Sequence, residues 1–280
     1  MIYAQDIKVQ ILDSVILALR EDIGKGDITT DSIVPAGMRT SAKIIVKENG
    51  IICGLGIARL VFQSVDKNIK FTEKIKDGKA VKKGTVVAAV EGPARGILTA
   101  ERAALNFLQR LSGIATLTNI FVRAAGGKVK ILDTRKTSPG LRVLEKYAVK
   151  IGGGFNHRLG LFDAVLIKDN HIAVAGSLKK AVDLAKRKHD RIEVEVKTPA
   201  QVKEAIKAGV TRIMLDNMSI AGIKRSARLV RRSKRKIEIE VSGGITLKNI
   251  RSIAGTGADY VSVGAITHSA KALDISLKVI

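Results

Sequence analysis

The sequence predicts an α/β protein with an N-terminal domain of helix and antiparallel strands and a barrel-like C-terminal domain. Three observations support this fold class. The first hundred residues combine an amphipathic helical pattern with short strands separated by glycine-containing turns. After Gly127, six short apolar segments alternate with helical patterns, which is typical of a parallel sheet. The length of 280 residues suits two domains, or one barrel with an appendage.

The N-terminal elements begin with an amphipathic helix, predicted over residues 7–20. Two apolar runs within residues 41–53 flank Asn49-Gly50 and predict a hairpin. A β-rich stretch follows over residues 68–98. Its turns are expected at Asp77-Gly78, Lys83-Gly84 and Glu91-Gly92-Pro93.

A long helix is predicted from Thr99, which can cap its start, to about Ala125. Its apolar side consists of Leu105, Leu108, Leu111, Ile114 and Leu117. The barrel strands are predicted over residues 129–136, 164–171, 192–197, 212–217, 237–244 and 260–265, with helices over 178–188, 199–208 and 246–254. No dinucleotide-binding glycine fingerprint opens a βαβ unit, so we expect a barrel or near-barrel.

Each predicted barrel strand ends in a residue suited to ligand binding. These residues are Arg135 with Lys136, Lys168, Glu195, Asp216, Ser242-Gly243-Gly244 and Gly264. Parallel strands converge at their carboxyl ends, where barrel enzymes place their active sites. Carboxylates suit Mg²⁺, and glycine loops expose backbone N–H groups to phosphate. The set predicts an anionic, phosphate-containing ligand and a divalent metal.

A glycine-rich segment lies between the first two barrel strands. Gly152, Gly153 and Gly154 precede His157 and Arg158. Arginine binds carboxylates through two parallel hydrogen bonds. Together with Arg135 and Lys168, this segment predicts a cationic pocket for a small dicarboxylate.

Composition excludes several classes of protein. The net charge of +23 favours anionic partners, but only 3% of the residues are aromatic and none is Trp, which argues against a base-stacking surface. The basic stretch over residues 224–236 is interpreted as a solvated helix face. The single cysteine, Cys53, is expected to pack in the interior. We find no membrane-length apolar run and no signal-peptide pattern, so we expect a cytoplasmic protein that binds neither membrane nor nucleic acid.

Long ungapped motifs across essentially the whole chain resemble quinolinate phosphoribosyltransferase, also called carboxylating nicotinate-nucleotide diphosphorylase. The motifs are EDIGKGDITTD (21–31), ERAALNFLQRLSGIAT (101–116), DTRKTSPGLRVLEKYAV (133–149), GGGFNHRLGLFDAVLIKDNH (152–171) and LDN (215–217). The resemblance implies an N-terminal open-faced α+β sandwich over residues 1–108, joined by a C-terminal strand within 269–280, and an α/β barrel over 109–268. It also implies homodimers or larger assemblies of dimers.

The implied reaction joins quinolinate to phosphoribosyl diphosphate with Mg²⁺ and gives nicotinate mononucleotide, CO₂ and diphosphate, a step of NAD biosynthesis. The resemblance assigns the quinolinate pocket to Arg135, His157, Arg158 and Lys168, with Arg102 supplied by the partner subunit. It assigns catalysis to Lys136, Glu195 and Asp216, the last two also near the metal, directly or through substrate or water. It assigns phosphate and substrate contacts to Thr134, Ser242, Gly243, Gly244, Val263, Gly264 and Ala265.

Two alternatives stay open. A paralogous phosphoribosyltransferase-like protein of a molybdenum operon would act on another acceptor. A protein without catalytic activity would bind phosphoribosyl ligands, other anions or nucleic acid.

Overall fold

The computed structural model describes residues 2–280, with side chains from residue 7 onward, and divides the chain into two compact units. The first unit contains the chain up to Asn119, together with Thr137–Gly153 and Ser269–Ile280. The second contains Ile120–Lys136 and Gly154–His268. The first unit thus extends through residue 119 and includes residues 137–153.

The elements follow one another as helices and short strands. The first are α1 (Ile2–Ile23), α2 (Ile28–Ile33), β1 (Arg39–Val46), β2 (Gly50–Ile51), α3 (Leu55–Val65), β3 (Lys70–Glu73), β4 (Ala80–Val81), β5 (Val86–Pro93) and α4 (Ala94–Ala125). The others are β6 (Lys130–Leu132), α5 (Arg142–Ile151), β7 (Val165–Ile167), α6 (Asp169–Ala175), α7 (Leu178–Lys186), β8 (Ile192–Val196), α8 (Pro199–Ala208), β9 (Arg212–Asp216), α9 (Ile220–Arg232), β10 (Glu238–Ser242), α10 (Ile250–Ala254), β11 (Tyr260–Ser262), α11 (Ala265–His268) and β12 (Ile275–Val279).

The first unit is built on a four-stranded antiparallel sheet in the order β12-β1-β5-β3. Strand β1 buries Ala42, Ile44 and Val46 and exposes Lys43, so only one face of the sheet enters the core. Helix α3 covers this unit's core with Phe62, whose ring centroid is 5.9 Å from that of Phe71 on β3. The open-faced α+β sandwich is therefore confirmed.

The predicted hairpin around Asn49-Gly50 is wrong. Strand β1 pairs with β5 and β12, whereas β2 pairs with β4. The Asn49 side chain does not close a tight turn but accepts a hydrogen bond from the Lys83 N–H (3.0 Å). The asparagine-glycine pair thus joins strands of two different sheets.

The predicted turn at residues 91–93 is also wrong. Strand β5 continues through Gly92 to Pro93, and α4 begins at Ala94, five residues before the predicted start. A Cβ at Gly92 would lie 3.0 Å from the Ile69 Cα. The glycine is needed for this close approach, and the expected turn is absent.

The second unit contains all six predicted barrel strands. They form one parallel sheet in the order β6-β11-β10-β9-β8-β7. Within the described residues, β6 and β7 are the sheet edges, and only one bridge, between Leu132 and Phe155, extends the pairing at β6. The α/β fold class is confirmed, with a sheet that is open between its first and last strands.

Local sequence explains why α8 has its predicted bounds. The Thr198 side chain accepts a hydrogen bond from the Gln201 N–H, and Pro199 occupies the first turn. Gly209 ends the helix with a φ of 72°, a left-handed conformation that glycine adopts without strain. Helices α7, α9 and α10 overlap the other predicted helical segments.

Strand β12 pairs antiparallel with β1, from Ala42 opposite Val279 to Val46 opposite Ile275. This return of the C-terminal segment to the N-terminal sheet confirms what the resemblance implies. Cys53 is buried, and burial raises the pKa of its thiol, so the expected packing role is confirmed. In the described part of the chain, each helix is too short or too polar to cross a membrane.

Candidate active site

A cavity of about 770 Å³ lies in the second unit at the carboxyl ends of its strands. The residues that follow edge strand β6, Leu166 of edge strand β7 and residues of the central strands all line it, so the sheet curls around one cavity. The structure brings most of the predicted site residues together there. They are Thr134, Arg135, Lys136, His157, Arg158, Lys168, Glu195, Asp216, Ser242, Gly243, Gly244, Gly264 and Ala265.

Two predicted site residues lie elsewhere. Val263 is only 1% exposed, and its N–H donates a hydrogen bond to the Leu132 carbonyl, so its side chain packs in the core instead of lining the cavity. Arg102 is exposed on α4 in the first unit. Its predicted contact is with the site of a partner subunit.

The cationic side of the cavity is formed by Arg135, Lys136 and Arg158. Burial and the nearby charge of Arg135 hold the pKa of the Arg158 guanidinium below its ordinary value. Arg158 also donates a hydrogen bond to the Ala164 carbonyl (3.0 Å). Within the described residues, the side chains of Arg135 and Lys136 form no hydrogen bond or ion pair. These charges are therefore available to an anionic ligand.

The opposite side presents two half-buried carboxylates from neighbouring strands. Glu195 Oε2 on β8 lies 3.6 Å from the Lys168 Nζ. Asp216 Oδ2 on β9 accepts a hydrogen bond from the Asn217 amide (3.0 Å). Mg²⁺ in phosphate enzymes is held by one or two carboxylates together with substrate oxygens and water. The donor set of Glu195 and Asp216 fits such an ion.

The loop after β10 has the backbone of an anion-binding site. Gly243 and Gly244 have φ values of 90° and 62°, and a Cβ at Gly243 would clash with the Asn217 side chain. Within the described residues, no intramolecular hydrogen bond uses the N–H groups of Gly243, Gly244 or Ile245. Consecutive unpaired N–H groups of this kind bind phosphate.

His157 also belongs to a buried cluster at the wall of the cavity, and its carboxylate partners were not predicted as part of the site. His157 Nε2 is 3.1 Å from Glu193 Oε2 and 3.5 Å from Glu240 Oε2. Glu240 also binds Arg212 (3.4 Å) and accepts a hydrogen bond from the Ser262 hydroxyl. The alternating sequences IEVEV and IEIEVS carry a signal for these residues, because residues two apart in a strand share a face. Glu193 thus points to the same side as Glu195.

Burial and mutual charge shift the pKa values in this cluster. Burial works against the charged form of His157, but hydrogen bonds to Glu193 and Glu240 raise its pKa to about 9. Burial and the charge of Glu240 raise the pKa of Glu193 to about 7. Burial opposes ionisation of Glu240, yet its hydrogen bond with His157 and the charge of His157 hold its pKa below the ordinary value. The cluster therefore favours a negative charge on Glu240 and a proton on His157 Nε2, which faces both carboxylates.

Comparison with protein families covers nearly the whole chain. Residues 27–112 match the family model for the quinolinate phosphoribosyl transferase N-terminal domain, and residues 114–278 match the model for its C-terminal domain. A probable nicotinate-nucleotide pyrophosphorylase [carboxylating] from Bacillus subtilis is 46% identical over 263 residues, which cover 92% of this chain and 90% of the relative. A quinolinate phosphoribosyltransferase [decarboxylating] from Nicotiana tabacum is 44% identical, covering 94% of this chain and 80% of the relative.

Solved structures show the same similarity. The crystal structure of NadC from Streptococcus pyogenes matches with a TM-score of 0.92 and 43% identity, over 96% of each chain. The nicotinate-nucleotide pyrophosphorylase from Francisella tularensis matches with a TM-score of 0.92 and 45% identity, over 97% of this chain and 96% of that one.

Proposed function

The chain belongs to the quinolinate phosphoribosyltransferase family, and we propose that it transfers the phosphoribosyl group of phosphoribosyl diphosphate to quinolinate. The products are nicotinate mononucleotide, CO₂ and diphosphate, so the reaction is a step of NAD biosynthesis. The enzyme is a pentosyltransferase, a nicotinate-nucleotide diphosphorylase of the carboxylating type.

One observation carries this proposal. A single cavity holds unpaired cations, two carboxylates and a glycine loop with free N–H groups. A dicarboxylate fits the cations, a ribose with its departing diphosphate fits between the two sides, and a 5′-phosphate fits the loop. The cavity thus offers a matching surface for each charged part of the two substrates.

The chemistry needs positioning and charge, and no side chain acts as nucleophile. Arg135, Arg158 and Lys168 bind the two carboxylates of quinolinate and orient its ring nitrogen toward the anomeric carbon. The bond from nitrogen to that carbon forms as the bond to diphosphate breaks. Positive charge builds on the ribose ring in the transition state, and the carboxylates of Glu195 and Asp216 stabilise it.

Lys136 binds the departing diphosphate and offsets its growing negative charge. Glu195 and Asp216 would hold Mg²⁺, directly or through substrate and water. When bound, the ion supplies further positive charge to the diphosphate. In the pyridinium product, the carboxylate beside the nitrogen leaves as CO₂. Its bonding electrons stay on the ring carbon, which then takes up a proton.

The proposal includes a homodimer, or an assembly of dimers, in which Arg102 enters the quinolinate pocket of the partner subunit. Arg102 is exposed, and within the described residues its side chain forms no hydrogen bond or ion pair. Both substrates are small water-soluble anions, so the proposed location is the cytoplasm, with no nucleic-acid partner.

A direct assay tests this function. We expect the purified protein with Mg²⁺, quinolinate and phosphoribosyl diphosphate to release CO₂ and form nicotinate mononucleotide in equal amounts. Reactions that lack phosphoribosyl diphosphate serve as the control. Failure to consume quinolinate would indicate a paralogue with another acceptor, or a protein that only binds such ligands, and would reject the proposal.

Acceptor choice is a second test of the same pocket. Nicotinate has one carboxylate, so it leaves a cation of the pocket without a partner, and unpaired buried charges give strong discrimination. We expect a much lower kcat/KM with nicotinate than with quinolinate. Similar values for the two acids would contradict the assignment of a dicarboxylate pocket.

A further inference from the structure

Two buried carboxylates, Glu240 at the wall of the cavity and Glu193 next to it, have no role in the steps derived above. Glu240 on β10 is fully buried, and Glu193 on β8 is 6% exposed. Strand β9 lies between these two strands, yet both carboxylates reach the same imidazole, that of His157. The curled sheet therefore directs two separate acidic side chains at one histidine.

The free-energy cost of burying these carboxylates indicates that they have a role besides packing. Within the described residues, Glu193 Oε1 is buried without a hydrogen-bond partner. A buried polar oxygen without a partner destabilises a protein, so it needs an explanation other than packing. The three side chains also have the chemistry of metal ligands. However, Arg212 and Ser262 already bind Glu240, so its negative charge is met by protein groups.

The segment that carries His157 is anchored on both sides. The Phe155 N–H donates to the Ile131 carbonyl (2.8 Å), and the His157 N–H donates to Asp133 Oδ1 (2.9 Å), which fixes the main chain to β6. The His157 side chain reaches across to Glu193 and Glu240 through Nε2. At its other ring nitrogen, Nδ1 accepts a hydrogen bond from the main-chain N–H of Arg158 (2.8 Å). The ring thus links the two strands to the main chain of the next residue.

We propose that Glu193 and Glu240 are positioning residues that hold the His157 ring and thereby set where Arg158 presents its guanidinium to the substrate. The proposal rests on the proposed function for the identity of that substrate. In this role both glutamates act through His157 and not on the reacting atoms. Because the effect passes through Arg158, it concerns binding of the dicarboxylate and leaves the phosphoribosyl subsite intact.

Paired substitutions separate positioning from general damage. Glu193→Gln keeps an oxygen that can accept the His157 hydrogen bond, whereas Glu193→Ala and Glu240→Ala remove the acceptor. We expect both alanine variants to raise the KM for quinolinate by about tenfold or more, because small displacements of a binding group have effects of this size. We expect the KM for phosphoribosyl diphosphate to change by less than about twofold, and Glu193→Gln to stay close to the wild type.

Glu238→Gln is the matched control. Glu238 also pairs with Arg212 (2.7 Å), but its side chain is 46% exposed and it makes no contact with His157. Its substitution should leave both KM values unchanged. An equal rise of both KM values in the alanine variants, or no rise at all, would overturn the positioning role.

Imidazole ¹⁵N spectra decide the proposal independently of turnover and without the alanine variants. The chain has four histidines, and loss of one signal set in His157→Asn assigns His157. We expect the ¹⁵N chemical shift of His157 Nε2 to be that of a protonated, hydrogen-bonded nitrogen. This chemical shift should change in Glu193→Gln and stay the same in Glu238→Gln. If the ¹⁵N chemical shift of His157 Nε2 is the same in Glu193→Gln as in the wild type, the positioning role is refuted. A wild-type protein with this spectrum but no turnover would instead reject the proposed function.

Discussion

The surroundings of Arg158 disfavour the positive charge of its guanidinium. Burial and the charge of Arg135 lower its pKa, although the pKa of a guanidinium remains far above neutrality. Two guanidinium groups close together repel each other, and an added carboxylate relieves that repulsion. The free energy of binding a dicarboxylate therefore includes the removal of an unfavourable contact. We therefore expect acceptor binding to be sensitive to substitution of Arg158.

Replacing Arg158 by alanine is expected to raise the KM for quinolinate steeply. Loss of one partner of a buried charge pair costs roughly 2–5 kcal/mol. Steady-state kinetics with each substrate varied in turn will measure the effect. Arg228→Ala, which removes an exposed arginine of α9, serves as the control and should behave like the wild type. An unchanged KM for quinolinate in Arg158→Ala would show that this arginine does not bind the acceptor.

At the scale of elements, strands β8 and β10 show what the sequence could and could not predict. Their ends, with Glu195 and Ser242, were predicted because parallel strands place their carboxyl ends at one mouth. The inward charges of Glu193 and Glu240 were missed, because apolar strands were taken to be buried on both faces. In a curled sheet the inner face can be polar if each charge meets a partner. That partner, His157, comes from a loop whose position no local pattern shows.

Gly243 is the element-scale position where a side chain should be least tolerated. Its φ of 90° strains any other residue, and a Cβ there would clash with the Asn217 side chain. We expect Gly243→Ala to raise the KM for phosphoribosyl diphosphate by about tenfold or more, with a smaller effect on quinolinate.

Gly56→Ala is the comparison variant for this substitution. Gly56 lies in the first turn of α3, with open space where its Cβ would be, so alanine there should preserve both activity and stability. Unchanged phosphoribosyl diphosphate kinetics in Gly243→Ala would remove the loop after β10 from the proposed phosphate site.

At the scale of the whole molecule, the net positive charge of the chain does not indicate where the candidate active site lies. The net charge is +23, whereas only a few of the cations line the cavity. Composition therefore indicated an anionic partner but not where it binds, and only the strand ends located the site. The division into units was equally hidden, because residues 137–153 return to the first unit after the first barrel strand.

A shared site between subunits makes a prediction about mixtures. Arg102→Ala and Arg158→Ala should each be nearly inactive alone, because each lacks one cation of every pocket. In a mixed dimer, one pocket would combine both intact arginines. Random assembly gives half mixed dimers with one intact site each, so refolding an equal mixture should recover about a quarter of wild-type activity. No recovery above the separate variants would reject a contribution of Arg102 from the partner.

The ladder between β1 and β12 has a consequence for how the protein is made. Ala42 emerges early from the ribosome, whereas its pairing residue Val279 follows the entire second unit in the chain. Until then, one edge of β1 is unpaired, and an open strand edge is prone to associate with other chains. The six strands of the second unit, in contrast, pair only with one another. Synthesis speed and chaperone access during this delay should therefore influence the yield of native protein more than the stability of either unit does.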